Sequence, residues 1–327
     1  MKALLALWCG GLSGLAAVGC AASLSDPITY QGMCDASAAV SLTTNLFIVA
    51  NDEDNILRVY RRHPGGLPIL SVDFNAFLRV AGKSTETDLE GAARIGDRIY
   101  WISSHGRNAK GRSSPNRHRF FATTVAVTND QVEVKPLGRP YTSLLRDLTR
   151  DPRLAEFHLA FAARLAPKLP GGLNIEGLSA TPDGHLLLGF RNPIPRGLAL
   201  VVPLLNPADL IEGNPAKFGK PILLDLGGLG VRSMGLGDDK YLIIAGPYGT
   251  DGESRLYDWD GRSPTPKMLS GIRLPGFNPE GLAFYHEGGR SEFFLVSDDG
   301  TLKIGGVDCK RLKDPTRRQF HGYSLSP

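Results

Sequence analysis

The sequence predicts an all-β chain folded as a single β-propeller, and three observations predict it. The first is a recurring phrase. DLEGAARIGDRIYWISSHGR from Asp88, NIEGLSATPDGHLLLGFRNP from Asn174 and NPEGLAFYHEGGRSEFFLVSDDG from Asn278 each read as two short strands around a turn. Glu90, Glu176 and Glu280 share one slot in them, and Gly91, Gly177 and Gly281 follow. The second is the period. Two weaker copies, CDASAAVSLTTNLFIVANDEDN from Cys34 and VRSMGLGDDKYLIIAGPYG from Val231, place Ser37 and Ser233-Met234-Gly235 in that slot. The units then begin near residues 35, 88, 174, 231 and 278, and a repeat of about 50 residues built from strands and turns marks a propeller. The third is composition, since 39 glycines and 23 prolines suit many turns and few long helices. Five units predict five blades, with six as the alternative if 120–170 holds a degenerate blade.

The first 22 residues read as a targeting segment. Lys2 supplies the positive start, LLALW opens an apolar region, and small residues surround Cys20. Cys20 stands where a lipoprotein carries its acylated cysteine, although Ala17 occupies the position where leucine is commoner. Lipid anchoring and free secretion remain open, and both mean export to the periplasm, its membrane or the medium. No later apolar run reaches the roughly 20 residues of a membrane helix. The net charge of +4 is too small and scattered to argue for nucleic acid. With the leader gone, Cys34 and Cys309 remain at opposite ends of the chain. An oxidising compartment invites a disulfide between them, against the alternative of two unrelated buried thiols.

The propeller is expected over 28–323. In unit one, LFIVA (46–50) is a buried run, ILRVY (56–60) alternates, and ILSVD (69–73) closes the blade. Unit two has RIYWIS (98–103), a basic loop HGRNAKGRSSPNRHR, FFATTVAV (120–127) and QVEVK (131–135). Residues 141–168 break the β pattern as a helical insertion. Asp151 followed by Pro152 starts a helix over about 152–166, with Leu154, Phe157, Phe161 and Leu165 on one face. Unit three continues with LALVV (198–202) and ILLDL (222–226), and unit four with YLIIA (241–245), SRLYD (254–258) and KML (267–269). Unit five has FFLVS (293–297) and LKIG (302–305) but no apolar fourth strand. The chain termini, ITY at 28–30 or QF at 319–320, are expected to complete it and hide its edge.

Strand direction gathers the chemistry at one end of the central channel. First strands begin there and second strands end there, so Glu90, Glu176 and Glu280 meet Asp52, His105, Arg107, Arg191, Asn192, Tyr248 and Asp298, with Arg232 nearby. Three carboxylates aimed at one axis need compensation. A hard cation such as Ca2+, pairing with Arg107, Arg191 or Arg232, and hydrogen bonds from neighbouring-blade N–H groups are the three alternatives. His105 is the candidate general base, because histidine titrates near neutrality. Arg107 and Arg191 are candidates for holding an anionic substrate, and Asp52, Asn192, Arg232, Tyr248 and Asp298 for lining the ligand site.

The phrases DLEGAARIGDRIYWISSHGRNAKG and NIEGLSATPDGHLLLGFRNPIPRGLALVVPLLNP, with the surroundings of Cys34 and Cys309, resemble the bacterial family called domain of unknown function 3616. That resemblance implies no activity. More remotely, the Glu-Gly-Leu repeat is similar to esterase-like phytase and gluconolactonase-type propellers, in the latter of which a repeat glutamate ligates a divalent metal. It implies a divalent metal at Glu90, Glu176 and Glu280, although the proline of that motif is absent here. The expectation is an exported, monomeric propeller that hydrolyses a phosphate ester or lactone. The alternative is a propeller that binds a small anion or a protein without turnover.

Overall fold

A computed structural model describes residues 23–82, 84–129, 131–274 and 276–326. The expected leader, with Cys20, lies outside the described residues. The described chain forms five antiparallel sheets in propeller arrangement, plus one small hairpin.

Blade one runs Ala36–Thr43, Leu46–Asn51, Ile56–Arg61 and Leu70–Asp73 from the axis outward, and blade two Leu89–Ile95, Arg98–Ser103, Phe120–Thr128 and Gln131–Tyr141. Blade three is Asn174–Ala180, Leu186–Asn192, Ala199–Leu204 and Ile222–Leu224, and blade four Gly230–Leu236, Tyr241–Gly246, Arg255–Trp259 and Lys267–Met268. The second strands of blades one, three and four are buried along their whole length. That burial is why their sequences are continuous apolar runs, since each blade is covered on both faces by its neighbours.

Five apolar clusters fill the five interfaces between blades. Trp101 and Phe121 of blade two pack on Ile48 and Leu57 of blade one. Ile175 and Phe190 of blade three pack on Tyr100 and Phe120. Val231 and Ile243 of blade four meet Val201, and Leu282 and Leu295 of blade five meet Ile244. Phe294 and Phe320 then pack on Phe47 and Tyr60, returning the ring to blade one.

Both termini close that ring. The C-terminal strand Gln319–Ser326 is the third strand of blade five, beside Pro279–Glu287 and Arg290–Ser297, and Ile28–Gln31 pairs with its outer edge. The expected third strand at 302–305 is elsewhere. Lys303–Ile304 pairs with Val307–Asp308 in a separate hairpin, because a run of two residues offers too little apolar surface to hold a blade position. Cys34 and Cys309 are joined by a disulfide, their Cα atoms 5.9 Å apart, which ties blade one to the segment leading into the closing strand.

The insertion is helical but made of three short pieces, Leu144–Arg150, Pro152–Phe157 and Leu159–Ala162. Asp151 caps the second, accepting from the Arg153 N–H at 2.9 Å. His158, with φ +49°, turns the chain before the third. That turn leaves Phe161 63% exposed, whereas Leu154, Phe157 and Leu159 enter the core between blades two and three.

Candidate functional site

The inner strand of every blade carries a β-bulge at one position. Pairing skips one residue between Ala36 and Ala38, Leu89 and Gly91, Ile175 and Gly177, Val231 and Ser233, and Pro279 and Gly281. The bulged residues are Ser37, Glu90, Glu176, Arg232 and Glu280. A bulge re-aims its side chain out of the pleat, and here those of Glu176, Arg232 and Glu280 meet one another. The slot in blade four therefore belongs to Arg232, one residue before the Ser233-Met234-Gly235 read from the sequence.

Glycine after each glutamate answers a neighbouring blade. A Cβ at Gly91 would strike Leu178 and the Glu176 carbonyl, and one at Gly177 would strike Val231. At Gly281 it would meet Val296 and the Ala38 backbone. The Glu-Gly repeat thus records a bulge and a close approach together.

Around the ring, Arg232 stands between Glu176 and Glu280 and pairs with both. Its Nε lies 3.6 Å from Glu176 Oε2, and its Nη2 meets Glu280 Oε1. Arg191, from the end of the second strand of blade three, donates to Glu176 Oε1 at 2.7 Å. Its Nε and Nη2 donate to the carbonyls of Pro247 and Gly249 at 2.9 and 2.8 Å. Two asparagines orient the acids. Asn174 donates to Glu176 Oε1 at 2.7 Å, and Asn278 donates to Glu280 Oε1 at 3.1 Å while accepting from Arg232 at 2.9 Å. This half of the mouth, over blades three to five, is a closed network of ion pairs and hydrogen bonds.

The other half is acidic and largely unpaired. Glu90 has Ser37 on one side and Glu176 on the other, so no cation flanks it. Where Asn174 and Asn278 donate, blade two has Asp88, a second acid. Burial, then Glu176, Asp88 and Asp52, push the Glu90 carboxyl well above the usual carboxylate range. It is 8% exposed and makes no hydrogen bond or ion pair among the described residues. Burial with Asp298, Asp35 and Asp88 also pushes Asp52 well up, and its Oδ1 is buried without a partner. Asp35 is raised to about 8 by burial and by Asp298, which shares a hydrogen bond with it. Asp88 is raised by burial to about 7 despite its ion pair with Arg117 at 2.8 Å. Seven carboxyls, at Asp35, Asp52, Asp88, Glu90, Glu176, Glu280 and Asp298, face three guanidiniums, at Arg117, Arg191 and Arg232.

Other expected site residues face away from this ring. Arg107 donates to the carbonyls of Ala163 and Gly111 at 3.0 Å, and Asn192 to those of Pro167 and Leu169 at 2.8 and 2.7 Å. Both anchor the helical insertion. His105 is buried, its Nδ1 donates to the Ser103 carbonyl at 2.7 Å, and its ring stacks on His118. Burial, with His118 and Arg119 adding to it, holds the His105 pKa down to about 3. The charges acting on this imidazole are thus not those of the glutamates. Tyr248 is half-buried on the loop whose carbonyls hold Arg191. Sequence reasoning missed Asp35, Asp88, Asn174 and Asn278, which share the position two residues before the bulge. Their signal was the first letter of the three strong phrases and the second letter of the copy from Cys34.

Among the described residues no group of three or more histidine, cysteine or acidic side chains has the geometry to hold a metal ion, and no helix is long and apolar enough to cross a membrane. The model of the family described as "Protein of unknown function (DUF3616)" matches residues 122–270, in agreement with the resemblance read from the sequence. The match spans Glu176, Arg191 and Arg232. No curated protein matches. Among solved structures, the chain is similar to Myxococcus xanthus glutaminyl cyclase at 10% identity and TM-score 0.46, covering 94% of this chain and 97% of that one. The Malassezia sympodialis allergen Mala s 1 gives 11% and 0.47, over 93% and 97%. The PQQ-bound aldose sugar dehydrogenase of Streptomyces coelicolor gives 11% and 0.44, over 93% and 98%. Likeness at this level does not bear on the chemistry of the mouth.

Proposed function

We propose that the channel mouth hydrolyses an ester or lactone by carboxyl acid–base chemistry, with Glu90 as proton donor and Glu176 as base. The observation that carries this is Glu90, a buried carboxyl without an ion pair among the described residues, which burial pushes well above the usual carboxylate range beside Glu176, itself ion-paired with Arg191. Two neighbouring carboxyls in unlike surroundings, one without an ion pair and one paired with arginine, can divide the acid and base roles of a hydrolysis. Glu176 Oε2 accepts no hydrogen bond and has Arg232 Nε 3.6 Å away, and in this reading it is the oxygen that takes a proton from water. The water oxygen adds to the carbonyl carbon as that proton leaves. The C–O bond then breaks, the Glu90 proton passes to the departing alkoxide, and solvent exchange resets both groups.

A phosphate ester fits less well, because Arg191 and Arg107 spend their donors on Glu176 and on backbone carbonyls. A calcium ion at the three glutamates is likewise disfavoured, since the Arg232 guanidinium already lies between two of them. The disulfide suits a chain that folds in an oxidising compartment, which supports export. A second reading, binding without turnover, is favoured by the burial of the reacting groups, Glu176 being only 3% exposed.

The test is hydrolysis of aryl esters and lactones by the wild type, Glu90→Gln and Glu176→Gln, with and without chelator. Acid–base loss should lower kcat by about 100-fold or more in each variant, and chelator should leave the wild type unchanged. No wild-type turnover of either bond moves the reading to the binding propeller. Turnover lost in chelator and restored by Ca2+ brings back the metal.

A further inference from the structure

The helical insertion holds a cleft of about 400 Å3, lined by none of the residues of the channel mouth. It lies where left-handed His158 turns the chain between Pro152–Phe157 and Leu159–Ala162, a conformation that a residue with a Cβ holds at a cost. Buried Leu154 and Leu159 line it, together with Phe161, the most exposed large apolar side chain among the described residues. Thr149, His158 and Arg164 are its polar lining. The three acids of the insertion are already taken, Asp147 by Arg146, Asp151 by Arg153 and Glu156 by Arg196. No acid lines the cleft. Arg164 is exposed, and its guanidinium makes no hydrogen bond or ion pair among the described residues. It follows Phe161 by three residues, and its N–H donates to the Phe161 carbonyl at 2.9 Å. Ring and guanidinium therefore share one face of the turn.

We infer that this cleft binds a carboxylate on an apolar chain, the chain lying along Leu154, Leu159 and Phe161 and the carboxylate resting on Arg164. Small-molecule sites are clefts of roughly 300–1,000 Å3 with apolar walls and a few polar groups that fix orientation. A guanidinium presents a planar fork that meets both oxygens of a carboxylate. Thr149 already donates its hydroxyl proton to the Arg146 carbonyl at 2.9 Å. The His158 ring makes no hydrogen bond among the described residues, so its N–H is the second donor. An exposed arginine holds a lone anion only weakly, which is why the apolar chain is part of the ligand. A cationic head would meet Arg164 with like charge, and a neutral one would leave its charge unanswered. The site is separate from Glu90 and Glu176 and does not depend on turnover there.

Two-dimensional NMR of the 15N-labelled full chain, titrated with octanoate and with 1-octanol, compares ligands that share a chain and differ in the carboxylate. Octanoate should bind at least 10-fold more tightly, with its shifts centred on residues 149–164. Arg164→Met and Phe161→Ser should each weaken octanoate at least 5-fold. Arg164→Lys keeps the charge, loses the fork and should fall between wild type and Arg164→Met. Both side chains are exposed, so the variants should fold, and unchanged signals away from the insertion verify that they do. Equal binding of octanoate and octanol overturns the carboxylate class. Octanoate shifts that do not saturate, or that centre outside 149–164, overturn the site. Octanoate affinity unmoved in Arg164→Met overturns the guanidinium as its anchor.

Discussion

Replacing Asp35 by asparagine should stabilise the protein at neutral pH and leave it unchanged in acid. The Asp35 carboxyl is 4% exposed, and its backbone pairs with that of Asp298 across the junction of blades one and five. Burial first, and Asp298 and Glu53 after it, raise its pKa from 3.8 to about 8, against the opposing pull of Lys310. Below about pH 4 the folded and unfolded chains both hold this proton, and the group adds nothing to the pH dependence. As pH rises towards 8 the unfolded chain ionises freely while the folded one does not, so stability is lost through that window. At pH 7 the difference spans about three units, which at about 1.4 kcal/mol per unit sets an upper limit near 4 kcal/mol. Proton sharing with Asp298 reduces it, and the new amide donates to Asp298 in place of the proton. A gain of about 1–3 kcal/mol is therefore expected for Asp35→Asn at pH 7.5, shrinking to nothing at pH 4. Urea unfolding at pH 4, 5.5 and 7.5 measures it. An equal loss of stability at all three values would refute the reasoning, for it would mean that Asp35 serves packing in its ionised form.

Two further outcomes follow from the ring. Arg232→Met removes the cation shared by Glu176 and Glu280 and leaves two buried carboxylates facing each other. Urea unfolding should show a loss of about 3–5 kcal/mol, largely recovered by adding Glu176→Gln and Glu280→Gln, and a loss under 0.5 kcal/mol would mean the pairs are unimportant. Reducing the Cys34–Cys309 bridge opens a loop spanning 275 residues, worth roughly 5 kcal/mol in the chain-entropy view. The melting temperature should fall on reduction, and identical melting curves with and without reductant count against that contribution.

The fold was legible in the sequence because bulge, close approach and turn recur together. Glu-Gly marks the inner strand in blades two, three and five, since Gly91, Gly177 and Gly281 each lie against the next blade or the partner strand. Where the following residue is Ala38 or Ser233, the phrase dissolves. Blade four was then read one residue out of register, which concealed Arg232 among the glutamates. Closure was harder to read, because strand Gln319–Ser326 owes its place to pairing with Arg290–Ser297 and with the N-terminal strands, not to any pattern of its own. Charge pairing was hidden for a similar reason. Arg232 finds partners in Glu176 and Glu280, which lie in the blades before and after its own. No local spacing announces such a bond. His105 shows the reverse failure, for a histidine at a strand end reads the same whether its ring enters the channel or stacks on His118 beneath the loop. What the repeat alone could not convey is its inequality. Five equivalent slots carry serine, three glutamates and one arginine, so two carboxylates share a built-in cation and Glu90 does not. The candidate chemistry arises from that broken symmetry, because a ring with a cation beside every acid would have no proton to give.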